Sequence, residues 1–226
     1  MRKRYIVALA LVVVLGLWGG AYFVLNSNAG ASANDIVRRN AEAATPAGDA
    51  LNITVWNLGY GGLGRESDFV SDGGEHLFPP SRAAVRGNVA AINDLVGREQ
   101  SDVLIFQEIA HGGPVNYWVD LKGALDRTLA SRSSVFFADF KTRLMPWPLA
   151  MTHGQAIYSD HLIDGADVVP LPAEDTAIFG VKRRYASVVA RIPIEGQAHG
   201  WTVASVHLAA FDPDAAVRTR QLRELL

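Results

Sequence analysis

Apolar residues are distributed along this chain in three patterns, each predicting a different element. The first is continuous. After Arg2-Lys3-Arg4, an uncharged run extends from Tyr5 to Leu25, and as a helix it is about 30 Å long, enough to cross the hydrocarbon core of a bilayer. The second recurs at helical spacing. Val85, Val89, Ile92 and Val96 fall on one face of a helix that opens at Pro80-Ser81, with Ser81 as a fitting N-cap. Val119, Leu121, Leu125 and Leu129 predict a second helix over Tyr117–Ala130, and Asp212-Pro213-Asp214 opens a last one. The third pattern is the short β-rich run. Strands are predicted at 52–57, 102–107, 134–140, 155–159, 185–192 and 201–206.

Their order is strand, helix, strand, helix, several strands, then strand and helix, which predicts a mixed sheet covered by helices. Residues 26–50, rich in Ala, Asn, Ser and Gly, read as a linker with a short helix around Asp35–Ala44. The chain thus divides into a basic n-region (1–4), an apolar segment (5–25), a linker (26–50) and an α/β domain (51–226).

The basic cluster places the N-terminus inside and exports the remainder. Two readings of the apolar segment remain. It is an uncleaved anchor, or a signal sequence cleaved near Ala33, where Ala31-Ser32-Ala33 resembles a small-residue cleavage site. The run is long for a signal core, but both readings export the domain. Without Arg2, Lys3 and Arg4 the chain keeps 18 basic and 23 acidic side chains, a formal charge of −5. That balance lacks the broad basic field of nucleic-acid binders, so nucleic acid is a possible but not favoured partner. Nothing points to a protein partner. The chain has no cysteine, which excludes disulfides, zinc-thiolate sites and thiol catalysis, and leaves oxygen or imidazole as metal donors.

The candidate chemistry lies at strand ends. Four large apolar residues, Val103–Phe106, predict a strand buried on both faces that stops at Gln107-Glu108. A carboxylate there is costly unless the strand end opens into a site that uses its charge. Two other strands end likewise, on Asn57 and His207. Glu108 is the candidate metal ligand, Asn57 an amide for a metal or phosphate oxygen, and His207 an imidazole for a phosphoryl oxygen. His153 and Arg184 are candidate substrate contacts, with Arg183 and Arg218 as further cations. The glycines of Leu58-Gly-Tyr-Gly-Gly-Leu-Gly64 match neither a Walker nor a dinucleotide pattern and read as loop. Trp118, Trp147 and Trp201 read as packing residues. No Gly-x-Ser-x-Gly elbow supports serine hydrolysis.

Taken together, Val55-Trp-Asn57, Asp102-Val-Leu-Ile-Phe-Gln-Glu108, Gly154-Gln-Ala-Ile-Tyr-Ser159 and Val206-His-Leu208 resemble the endonuclease/exonuclease/phosphatase superfamily, the deoxyribonuclease I-like phosphoesterases. Asn57-Leu-Gly-Tyr-Gly with Asp72-Gly-Gly74, and Val206–Phe211 followed by Arg218, Gln221 and Leu222, look like a bacterial branch of it. The resemblance runs from about residue 52 to the end. It implies a two-sheet α/β sandwich, Mg2+ or Mn2+ as cofactor, and water attacking a phosphodiester or phosphomonoester of a lipid head group, inositol phosphate or nucleic acid. In that scheme Glu108 and Asn57 serve the metal and His207 the phosphate. The family's later Gly-Asp-Phe-Asn-like and Ser-Asp-His-like motifs do not occur, and Ala110-His111-Gly112 stands where relatives carry a polar triplet. The resemblance therefore predicts only the N-terminal portion of the sandwich, inactive as a 226-residue fragment, with an exposed sheet face. The alternatives are a non-catalytic membrane-tethered binding module on the same scaffold and a secreted nuclease.

Overall fold

The computed structural model describes residues 2–27, 31–70, 73–174, 177–178, 180–210 and 214–226. Asp72, Phe211, Asp212 and Pro213, which the sequence reading singles out, lie outside the described residues. The elements are α1 (Arg2–Ser27), β1 (Ile36–Arg39), β2 (Ile53–Asn57), α2 (Arg82–Arg98), β3 (Val103–Ala110), α3 (Leu121–Thr128), β4 (Ser133–Lys141) and β5 (Thr152–Ser159). They continue with β6 (Gly165–Pro170), β7 (Ala177–Ile178), β8 (Val181–Lys182), β9 (Ala186–Pro193), β10 (Gly200–Val206) and α4 (Ala216–Leu225).

A five-stranded sheet in the order β1-β4-β5-β3-β2 faces a three-stranded sheet in the order β10-β9-β6. Only β2 and β3 pair in parallel; the other pairs in these two sheets are antiparallel. The alternation within β3 sets the layers. Val103 and Ile105 point between the sheets, against Val135, Phe137 and Ile157 of their own sheet and Val188, Ala190 and Ile192 opposite. Leu104 and Phe106 point the other way, into the layer formed by Val85, Val89, Ile92 and Val96 of α2 and Leu121 and Leu125 of α3. The continuous apolar run is therefore the signature of a strand covered on both faces.

Ser81 caps α2, its hydroxyl accepting the Ala84 N–H at 3.1 Å. The helix expected over Tyr117–Ala130 is confined to Leu121–Thr128, because Tyr117 and Trp118 have positive φ (51° and 58°) and Asp120 supplies the cap. The helix expected over Asp35–Ala44 is replaced by β1. Its β-branched Ile36-Val37 pairs with Phe137 and Phe136 along the open edge of β4, and closing that edge outweighs local propensity. The remaining linker is not free chain either. Ala47 is buried, and its backbone bonds to Pro193 O and from Glu195 N. The sequence reading did not include β6, β7 and β8.

The exposed sheet surface lies at β2, where Ile53, Val55 and Trp56 are exposed. Trp147, expected to pack, is 81% exposed. α1 is long and apolar enough to cross a membrane, and none of its most apolar window is buried.

Candidate functional site

Two β-bulges, one on each side of β5, build the site. Pairing of β3 with β5 shifts between Phe106↔Ala156 and Ile109↔Gly154, so Gln107 and Glu108 together face the single position of Gln155. Pairing of β4 with β5 shifts between Phe137↔Gln155 and Phe140↔His153, so Ala138 and Asp139 together face Gly154. The strand predicted to stop at Gln107-Glu108 therefore continues through Ile109-Ala110, and Glu108 sits in the bulge with φ +53°. Bulges re-aim side chains, and here each bulge contains a carboxylate, Glu108 on β3 and Asp139 on β4. Gly154 is required at this crossing: a Cβ there would overlap the Phe137 carbonyl and crowd Ala138.

His207 follows the last residue of β10 and reaches the bulged strands from the second sheet. Its Nε2 lies 3.4 Å from Glu108 Oε1. Arg183 Nη2 donates to His207 Nδ1 at 2.9 Å. A guanidinium can only donate, so Nδ1 is the acceptor in this arrangement and Nε2 carries the hydrogen toward Glu108. Arg183 also donates from Nε and Nη2 to Asp139 Oδ2 at 3.0 and 2.7 Å. His153 Nδ1 meets Asp139 Oδ1 at 2.9 Å while its ring stacks on Phe140. Two amides hold this end of the sandwich in place. Gln155 donates to Ala186 O and accepts from Ser205 on β10. Gln221 of α4 accepts the Ala209 N–H just beyond His207 and donates to Pro172 O.

The electrostatics follow from these contacts. Burial pushes the Asp139 carboxyl up, but Arg183 and His153 outweigh it and hold the group well below the usual carboxylate range. Glu108 is likewise lowered: burial opposes its charge, and hydrogen bonding from His207 and Asn57 prevails. His207 is raised: burial opposes its charged form, and the neighbouring Asp139 and Glu108 carboxylates outweigh burial and the Arg183 charge. Tyr60, whose ring abuts His153, is pushed up by burial.

Of the residues expected from sequence, Asn57, Glu108 and His207 converge on the wall of one cavity of about 900 Å³. The Asn57 carboxamide oxygen accepts the Gly59 N–H at 3.0 Å. His153 stands one layer behind, touching Asp139. Arg184 does not join the cluster. It is buried in contact with Ala138 O and in an ion pair with Asp35 at 2.8 Å, and its neighbour Arg183 takes the central place. Asp139 escaped the sequence reading, although its signal was present: a lone acid inside the apolar run Val135–Phe140 must be buried with a partner. The glycine loop read as mere connection lines the same cavity, with Gly59 and Gly61 at positive φ. Among the described residues no three His, Asp or Glu side chains form a metal-binding group. Glu108 Oε2 is nonetheless buried without a hydrogen-bond partner.

No protein-family model and no curated protein matches this sequence. Solved structures do. The endonuclease/exonuclease/phosphatase from Beutenbergia cavernae DSM 12333 matches with a TM-score of 0.51 and 20% identity, over 76% of this chain and 42% of that one. The human Nocturnin catalytic domain with bound sulfate gives 0.46 and 16%, over 84% and 59%. ANGEL2, a 2',3'-cyclic phosphatase in complex with adenosine-2',3'-vanadate, gives 0.42 and 15%, over 84% and 49%. This chain therefore spans about half the length of the structures it matches. Its α/β layers have the fold of the endonuclease/exonuclease/phosphatase structure, over the portion that the chain covers.

Proposed function

We propose that this chain carries the Glu108, Asn57 and His207 side of a phosphoester-hydrolysing site, held at a membrane by α1 with residues 51–226 on the extracytoplasmic side. The Glu108 carboxylate carries the reading: its charge is favoured by its neighbours, an imidazole flanks it, and Oε2 is buried and unpaired on the cavity wall. A buried anionic oxygen without a donor suits a hard cation, and Glu108 with Asn57 would hold Mg2+ or Mn2+. Such an ion, when bound, supplies charge that polarises a phosphoryl group and stabilises the leaving oxygen.

The remaining roles belong to the chain's own groups. His207 presents its Nε2–H at the cavity and donates it to a phosphoryl oxygen. Arg183 fixes the imidazole by its contact at Nδ1, and Asp139 fixes Arg183. His153 orients Asp139 from behind, as a positioning residue. Beyond the polar end, the cavity is lined by apolar groups including Trp56, Leu63, Phe69, Leu77 and Leu95. That lining and the acidic balance support an amphiphilic phosphoester, such as a lipid head group with its chains, over nucleic acid.

The test uses Mn2+ binding, followed by electron paramagnetic resonance, and hydrolysis of bis(p-nitrophenyl) phosphate. Glu108→Gln should abolish Mn2+ binding, and any hydrolysis should disappear in Glu108→Gln and in His207→Asn. Unchanged Mn2+ binding in Glu108→Gln overturns the site. Cation binding without turnover by the parent chain favours the binding-module reading instead.

A further inference from the structure

The segment after β4 runs Leu144-Met-Pro-Trp-Pro-Leu-Ala-Met151 without a charge. Leu144, Trp147 and Leu149 are 49%, 81% and 55% exposed and make an exposed apolar cluster. The segment lies against α1. Trp18 Nε1 donates to Leu144 O at 3.2 Å, and the Asn26 side chain accepts the Arg143 N–H at 2.8 Å and donates to Arg143 O at 2.9 Å. Between them Tyr22 packs on Phe140, Met151 and Val181. Trp18, Tyr22 and Asn26 lie four residues apart, so one face of α1 docks directly on the domain.

From these contacts we infer that Leu144–Leu149 is a second membrane contact, a wedge that enters the outer leaflet beside α1. The inference rests on reading α1 as a membrane span, and helix length makes the two inseparable. If the Leu144–Trp18 contact lay in water, only Tyr5–Leu17, about 20 Å of helix, would remain for a hydrocarbon core of about 30 Å. With Tyr5–Leu25 in the bilayer, Trp18 lies about 10 Å below the outer boundary, within the depth reached by interfacial segments. The loop's backbone suits that medium. Pro146 and Pro148 have no N–H to satisfy, and the Leu149 N–H bonds Pro146 O at 3.0 Å. The carbonyls of Leu144 and Pro148 accept from the indoles of Trp18 and Trp118. Trp147 at the tip has the amphipathic ring that favours the head-group region.

Because the chain has no cysteine, single cysteines can be labelled cleanly. The full chain is reconstituted in phosphatidylcholine vesicles with an environment-sensitive fluorophore at Trp147→Cys or Leu149→Cys. Val12→Cys in α1 and Glu195→Cys in the turn between β9 and β10 are the controls. The first two are exposed, so their replacement leaves the fold intact. Labels at 147 and 149 should emit blue-shifted and lose intensity with lipids brominated near the head group, position 12 with deeply brominated lipids, and position 195 with neither. A label at 147 that behaves like 195 while 12 is quenched overturns the wedge. A blue shift at 147 without quenching means that protein covers the loop, and also overturns it. An unquenched position 12 overturns the span itself, and the wedge with it.

Discussion

Replacing Asp139 by Asn tests the centre of the candidate site while keeping its shape. The carboxylate is 3% exposed; two bonds from Arg183 reach one oxygen and His153 reaches the other. An amide at this position fills the same volume but leaves the Arg183 guanidinium buried without its counter-charge. Breaking a buried pair by removing one partner costs about 3–5 kcal/mol, which in a chain of this size lowers the melting temperature by about 6–20 °C. Arg183→Met alone should be similarly costly, whereas the double variant should cost clearly less than the two together, since it leaves neither charge stranded. The assay is thermal and urea unfolding of the full chain in detergent, read by near-ultraviolet circular dichroism. The pH dependence has a definite sign. Asp139 is held well below its ordinary value, so its contribution is present in full above the unfolded value of about 3.9 and is lost as pH falls through the lower folded value. A deficit of Asp139→Asn below about 0.5 kcal/mol, or strict additivity in the cycle, would refute a desolvated, coupled pair.

Gly154→Ala should destabilise the chain by about 1–3 kcal/mol, because the new methyl meets the Phe137 carbonyl across the β4 bulge; an unchanged urea midpoint would argue against the paired bulges. Asp120 caps α3 through the Gly123 N–H, so Asp120→Ala should cost about 1 kcal/mol, and Asp120→Asn, an equally good cap, much less. The hydrogen bond from His111 holds the Asp120 carboxyl below its usual value, so the contribution that Asp120→Asn removes is present in full above about pH 3.9, and the small deficit should shrink as pH falls below that. Melts showing a deficit that grows as pH falls below about 3.9 would contradict that linkage.

How much of this was legible depended on how local each signal was. The face of α2 was readable because four apolar positions at helical spacing and a serine cap all lie within one segment. The double burial of β3 was readable because alternation is suspended over Val103–Phe106. β1 was not, since Ile36-Val37 becomes a strand only where β4, far along the chain, offers an open edge. The choice between Arg183 and Arg184 was hidden for the same reason. In extended chain, adjacent side chains point apart, and which one meets the site is fixed by Arg184 N bonding Asp139 O. Asn57, Glu108 and His207 could be named because a polar residue that breaks an apolar run is readable, but the bulge that places Glu108 inside β3 exists only in the register between β3 and β5.

That register explains why a strained residue is tolerated there. Without the bulge, the alternation that sends Leu104 and Phe106 toward the helices would send Glu108 the same way, among Leu58, Val89 and Leu121. An ionised carboxylate in such surroundings is far more costly than the roughly 1–3 kcal/mol of a non-glycine residue at positive φ. The extra residue in β3 lets Ile109, fully buried, take the helix-facing position. Glu108 is released to meet His207 from the opposite sheet. On β4, Ala138 stays in the helix layer with Phe136, and Asp139, on the other side, meets Arg183 and His153. The β3 bulge thus reconciles an apolar core, which needs strict alternation, with a carboxylate that must leave it to stand near Asp139 on the same sheet.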